Sequence, residues 1–268
     1  MVFFFLTICF YSGCFFALSC MSSIPKSHPR YLSLMTREKI ADGARRGLVH
    51  MTGLIAHGRG EAFDYILGEK SQSFCLDSER VATAALLLAK NPVISVNGNV
   101  VALASEKIVT LAEVLNAKIE VNLFHRTDER MSLLSEELLS AGSSKVFGLK
   151  GDAFIDELDH DRCRCDREGI FSSDVVLVPL EDGDRALALK KMGKCVIAID
   201  LNPLSRTARC SSVTIVDELC RALENMIGFA NELKNQDEEN LKSLFSSWDN
   251  EKSLREVRQF LSKRLNEL

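Results

Sequence analysis

The sequence predicts an α/β protein: a Rossmann-like, mainly parallel sheet with flanking helices and an N-terminal helical segment. Two observations carry this expectation. Short apolar, β-branched runs such as PVISV, KIEVNLF, DVVLVPL and KCVIAIDLN recur through the middle of the chain. Between them lie stretches such as VVALASEKIVTLAEVLNA and RTDERMSLLSEELLSAG, whose apolar residues follow helical spacing. Strands that alternate with helices of this length form βαβ units. Right-handed crossovers then bring the carboxyl ends of the strands to one edge.

Residues 34–50 have apolar positions at Leu34, Ile40, Ala44 and Leu48, which predicts a helix with Thr36 as its N-cap. A second helical stretch is expected over 61–67, after a break at HGRG, because Gly in a helix interior costs about 1 kcal/mol relative to Ala. Residues 79–90 read as a buried helix closed by Asn91-Pro92. Then follow a strand at 92–99 ending in a Gly turn, a helix at 100–117, a strand at 118–124, a helix at 126–142 stopped by Gly142, and a strand at 145–148. Strands at 174–180, 194–202 and 211–218 enclose a helix at 184–193, and a further helix runs from about 217 to 234. Residues 235–268 are charged with sparse apolar repeats and predict one or two amphipathic surface helices. Three parts are expected: an apolar leader over 1–20, an α/β domain over 21–234 and the charged helical tail.

The leader MVFFFLTICFYSGCFFALSC is long enough for a signal-peptide core, yet it lacks the positive n-region of a secretory signal. We expect translation to start at Met21 and the protein to be cytoplasmic, with no membrane partner unless the leader is retained. The chain of 268 residues carries a net charge of −4, which argues against nucleic acid and for small-molecule partners. Cys75, Cys163, Cys165, Cys195, Cys210 and Cys220 are scattered, which fits free thiols in a reducing compartment. The pair in DRCRCD is too close for a two-by-two zinc site.

Ligands of open α/β sheets bind beyond the strand carboxyl ends, and three such ends carry polar loads. SVNGN offers the amides of Asn97 and Asn99; the same residues also suit an ordinary turn. VPLEDGDR sets Glu181, Asp182 and Asp184 after a buried strand, either as acids at a helix start or as hard oxygen ligands for Mg²⁺. AIDLNPLSRTA ends a strand at Asp200, turns at Asn202-Pro203 and presents Arg206 between two hydroxyls, a phosphate-binding pattern. HGRGE brackets Arg59 with glycines that would let a phosphate chain approach the backbone, or it forms a plain helix–helix turn. The chain lacks GxxxxGK[ST], GxGxxG, GxSxG and HExxH.

The strings IPKSHPRYLSL, GLIAHGRGEAFDYILGE, PVISVNGN, IEVNLF, VLVPLEDGD and IDLNPLSRTA, in this order over about 24–225, resemble archaeal phosphopantothenate synthetase, also called 4-phosphopantoate–β-alanine ligase. The resemblance implies a homodimeric Rossmann-like enzyme of coenzyme A biosynthesis. ATP, with Mg²⁺, would activate 4-phosphopantoate as an acyl-adenylate, and β-alanine would attack it to release AMP. It implies an ATP site at Arg37, Arg59, Asp200, Leu201, Asn202, Arg206, Thr207, Glu218 and Leu219, with Arg37, Arg59 and Arg206 as the catalytic cations. Glu218 departs from the family pattern, where Asn is expected. From residue chemistry, Arg30 and His57 are candidates for the 4-phosphate or pyrophosphate, and Asn97, Asn99 and Glu181 for the pantoate hydroxyl or the amine. Two other readings are a non-catalytic nucleotide-binding protein and an NAD(P)-dependent oxidoreductase, the latter disfavoured by the missing GxGxxG.

Overall fold

The computed structural model describes residues 24–267. The expectations for the leader and for a start at Met21 lie outside the described residues. Six parallel strands form one sheet in the order β3-β2-β1-β6-β7-β8. They are β1 (Pro92–Val96), β2 (Lys118–Val121), β3 (Val146–Phe147), β6 (Val175–Pro179), β7 (Cys195–Ile199) and β8 (Val213–Ile215). The predicted α/β class and parallel sheet are borne out.

Alternate residues of each strand feed two cores, as a sheet covered on both faces requires. Ile94, Val96, Leu177, Ile197, Ile199 and Ile215 pack under α3 (Ser73–Leu88), α4 (Gly98–Leu115), α5 (Asp128–Ser140) and α8 (Leu219–Leu233). Val93, Val176, Val178, Val196 and Ala198 meet α6 (Gly183–Lys191) and an insert that begins with the hairpin of β4 (Ala153–Phe154) and β5 (Arg164–Cys165). That hairpin is too short to carry a periodic signal, and sequence reasoning missed it.

Several local expectations need correction. α1 spans Tyr31–Arg45, so Thr36 lies inside it and donates its hydroxyl to the Leu32 carbonyl at 2.6 Å instead of capping. α2 spans Met51–Leu67 and runs unbroken through HGRG. At Gly53 tertiary contact overrides propensity, because a Cβ there would collide with Asn99 Oδ1. The expected Gly turn at NGN is instead a helix start, because Asn97 Oδ1 accepts from the N–H groups of Asn99 and Val100 and caps α4.

The tail forms α9 (Glu238–Ser246) and α10 (Asn250–Glu267). Leu254 and Val257 of α10 are buried with Leu67, Phe74, Leu201, Ala208 and Val216, so this helix supports the segment after β7 from behind. All six described cysteines are free. No helix of the described residues is long and apolar enough to cross a membrane.

Candidate active site

The chain leaves β1 toward β2 and β3, then returns on the other side of β1 at β6. The crevice of such a sheet opens at this reversal, beyond the carboxyl ends. Asn97 spans it, donating Nδ2 to the Leu180 carbonyl at 2.9 Å. Asn99 donates Nδ2 to the Gly53 carbonyl at 2.9 Å, which ties α4 to α2. Both amides therefore hold the scaffold, and the substrate contacts anticipated for them would require these bonds to exchange.

Glu181 has a structural position the sequence did not reveal. Leu180 takes a left-handed backbone, φ 53°, at the end of β6, a conformation costing roughly 1–2 kcal/mol for such a residue. The following Glu181 side chain is only 2% exposed and lies between two guanidinium groups. Arg162 reaches it at 2.6 and 2.8 Å, and Arg185 at 2.5 Å. Arg185 is itself 1% exposed and donates also to Ser95 Oγ at 3.1 Å. Burial pulls the Arg185 pKa down, and the Glu181 charge opposes that shift. Glu181 is thus the counter-ion of a buried pair of arginines, not a group open to an incoming amine.

Beyond β7 the segment AIDLNPLSRTA folds around Asp200. Asp200 Oδ1 accepts from the Asn202 N–H at 2.9 Å, and the Ser205 hydroxyl donates to its other oxygen. Ser205 Oγ in turn accepts from the Ala208 N–H at 2.9 Å and caps the short α7 (Arg206–Cys210). Burial raises the Asp200 pKa; the Ser205 bond and the charge of Arg59 act the other way. Arg206 is exposed and pairs with Asp184 at 2.5 Å, while Thr207 donates to the Glu181 carbonyl at 2.8 Å. Asp182 pairs with Arg162 at 2.6 Å. A cavity of about 640 Å³ begins at Arg206 and Asp184 and runs along α6 to His160 and Phe124.

Leu67 and Phe63 share a cluster with Leu201 and lay α2 against this segment, and exposed Arg59 stands beside Asp200. Glu61 holds the other two N-terminal cations, Arg37 through contacts of 2.6–2.9 Å and Arg30 at 3.0 Å. Arg37 in turn draws the Glu61 pKa down. His57 is part-buried, its Nε2 has no partner, and burial lowers its pKa.

The departure at Glu218 has a local account. Its carboxylate accepts from the N–H groups of Cys220 at 2.9 Å and Arg221 at 3.1 Å, capping α8 as an Asn side chain can. Leu219 is buried beneath it. Behind the cap, Arg221 joins Asp64 of α2 at 2.5 Å to Asp217 at 2.7 Å. Asp217 also receives the Ser71 hydroxyl, and Asn225 donates to Glu79 at 2.9 Å.

Burial pushes Glu79 up to about 8 from an ordinary 4.5. Between those values the folded chain keeps a proton that the unfolded chain has lost, so this group makes stability fall as pH rises from about 5 to about 8. Glu120, raised to about 7 by burial, acts with the same sign. Glu79→Gln preserves the neutral shape and is expected to flatten the slope. Urea unfolding of both proteins at several pH values checks this, and identical slopes would contradict it.

The structure thus brings Arg59, Asp200, Leu201, Asn202, Arg206, Thr207, Glu218 and Leu219 to one edge, with Arg37 and His57 on α1 and α2. Sequence reasoning missed Arg162, Arg185, Arg221, Asp64, Asp217 and Glu79. Two pairs left a readable spacing: Arg185 follows Glu181 by four residues, and Arg221 follows Asp217 by four.

A family model described as phosphopantothenate/pantothenate synthetase matches residues 74–264. The chain belongs to this family. The match extends through α9 and nearly to the end of α10. Among its relatives, the 4-phosphopantoate–β-alanine ligase of Methanosarcina mazei is 55% identical, covering 88% of this chain and 93% of the relative. The protein of the same name from Thermococcus kodakarensis is 49% identical, covering 92% of this chain and 95% of the relative.

Proposed function

We propose that the chain is a 4-phosphopantoate–β-alanine ligase that forms 4′-phosphopantothenate from ATP, 4-phosphopantoate and β-alanine. The relatives of this name match nearly end to end. The geometric observation that carries the reading is the packing of Leu67 and Phe63 in one cluster with Leu201, which joins the Arg59 helix to the Asp200–Thr207 segment.

In the first half-reaction a carboxylate oxygen of 4-phosphopantoate attacks the α-phosphorus of ATP, and pyrophosphate leaves. In the second, the unprotonated amine of β-alanine attacks the acyl carbon, AMP leaves, and the amine gives up a proton. Both first substrates are anions, so the work is electrostatic: cations offset repulsion and stabilise charge growing on the leaving group. Arg59 and Arg206 fit that work because both are exposed at the same edge. Arg37, oriented by Glu61, serves from α1. The backbone of Asp200, Leu201 and Asn202, the helix start at Thr207 and the capped turn at Glu218-Leu219 frame the nucleotide. Arg30 and His57 remain the candidates for the 4-phosphate.

Mg²⁺ would supply a further cation to the phosphates. Among the described residues no group of three or more His, Cys, Asp or Glu could hold a metal ion. The exposed carboxylates of Asp182 and Asp184 suit an ion that arrives on the nucleotide and keeps most of its waters. The proposed setting is a cytoplasmic homodimer.

The test is an assay of the purified chain with ATP, Mg²⁺, 4-phosphopantoate and β-alanine. AMP and pyrophosphate formation that depends on both acids is expected. ADP formation, or no nucleotide consumption, would overturn the reading.

A further inference from the structure

Arg59 and Asp64 stand on the same helix and face opposite ways. Five residues separate them, about 7.5 Å of rise and about 140° of rotation. Arg59 is exposed, whereas Asp64 is buried and turns toward α8. There its carboxylate meets one guanidinium. Arg221 Nη1 and Nη2 donate to the two Asp64 oxygens at 3.2 and 2.5 Å. Nε and Nη2 of the same group donate to Asp217 Oδ1 at 3.1 and 2.7 Å. All three nitrogens of the fork are in use.

Asp217 passes the constraint on. The same Oδ1 accepts from the Glu218 N–H at 2.7 Å, at the start of α8. Its other oxygen takes the Ser71 hydroxyl, and Asn225 Nδ2 donates to Ser71 Oγ at 3.1 Å and to Glu79 at 2.9 Å. Asp217 is 1% exposed and held from both sides, so it cannot swing to follow Arg221. A continuous path of hydrogen bonds therefore runs from the Arg59 helix through Asp64, Arg221 and Asp217 to the Glu218-Leu219 turn.

Stability alone does not call for such a bridge. Taking a guanidinium and two carboxylates out of water costs about as much as their attraction returns, and apolar residues of similar volume often serve as well. Phe63 and Val216, next in sequence to Asp64 and Asp217, already pack in one apolar cluster. What the planar fork adds is a fixed distance and direction between two carboxylates. We propose that Arg221 is a positioning residue, which sets the separation between the Arg59 guanidinium and the Glu218-Leu219 turn and so their fit to one nucleotide. Arg221 lies behind the cap and acts through Arg59. A displacement of about 1 Å at a reacting group can cost a hundredfold in rate, so a residue placed here governs turnover from a distance.

This inference rests on the proposed ligase reaction, and a double-mutant cycle tests it. AMP formation by the full chain is measured for wild type, Arg221→Lys, Arg59→Ala and the two together, with thermal melts to check folding. Lys keeps the charge but lacks the fork that spans both carboxylates. Arg221→Lys is expected to lower kcat/KM for ATP at least tenfold in the wild-type background. Beside Arg59→Ala the loss should be less than threefold, because no guanidinium is left to position. A purely structural role would lower the melting temperature and leave the two factors equal. Asp64→Asn loosens the clamp from the α2 side and should repeat the pattern, and it replaces Arg221→Lys should that variant not fold. Arg80→Lys is the control: Arg80 forks onto Glu232 at the far end of α8, at 3.1 and 2.5 Å, and its kinetics should match wild type. Equal factors in both backgrounds, wild-type kinetics for folded Arg221→Lys, or the same coupling at Arg80 overturns the positioning role and leaves the ligase reading intact. A wild-type chain that forms no AMP overturns both.

Discussion

Arg59→Ala is expected to cut turnover at least tenfold, equivalent to about 1.4 kcal/mol of transition-state stabilisation. The side chain is exposed on α2, so its loss leaves no buried partner unsatisfied and the fold should persist. The cost falls on the step that separates charge. In the proposed reaction a guanidinium beside the Asp200 segment would offset the phosphates as ATP meets a second anion and would stabilise the departing pyrophosphate. Pyrophosphate exchange that requires 4-phosphopantoate isolates this step and should fall as steeply as the full reaction. Near-wild-type kinetics with an unchanged melting curve would reduce Arg59 to a surface charge.

Glu181→Ala is expected to remove about 3–5 kcal/mol of stability, because breaking a buried ion pair strands the remaining charge. Here Arg185, 1% exposed, loses its counter-ion, and Arg162 keeps only the exposed carboxylate of Asp182. The change also frees the start of α6, which sets the cavity wall and Asp184. Asp182→Ala is the control. It touches the same Arg162, but its side chain is 61% exposed, and such contacts contribute about 0–1 kcal/mol. Chemical denaturation should separate the two variants clearly, and similar losses would contradict the account of Glu181 as the buried counter-ion.

The sheet was legible because strands covered on both faces are apolar almost throughout, as are VVLVP, CVIAI and PVISV, where Ser95 is the one polar residue. Strand ends were legible too, since Asn97, Glu181 and Asp200 follow such runs directly. α2 was misread for a physical reason: glycines weaken a helix locally, and the close approach that calls for one at Gly53 is to Asn99, far along the chain. Glu181 was misread in the same way. An acid after a buried strand suggests a ligand, and nothing near it in sequence announces that Arg162 arrives from the insert. Glu218 departs from the expected residue type, and its carboxylate caps α8, a role an Asn side chain can also fill.

In the proposed function the Arg59 helix and the segment after β7 grip one triphosphate. A crystal structure with a non-hydrolysable ATP analogue and Mg²⁺ tests it most directly. Phosphate oxygens are expected within hydrogen-bond reach of the Arg59 guanidinium and of the 200–207 backbone, with Arg206 released from Asp184 toward them. A triphosphate bound elsewhere, with both places out of reach of it in either subunit, would contradict the account.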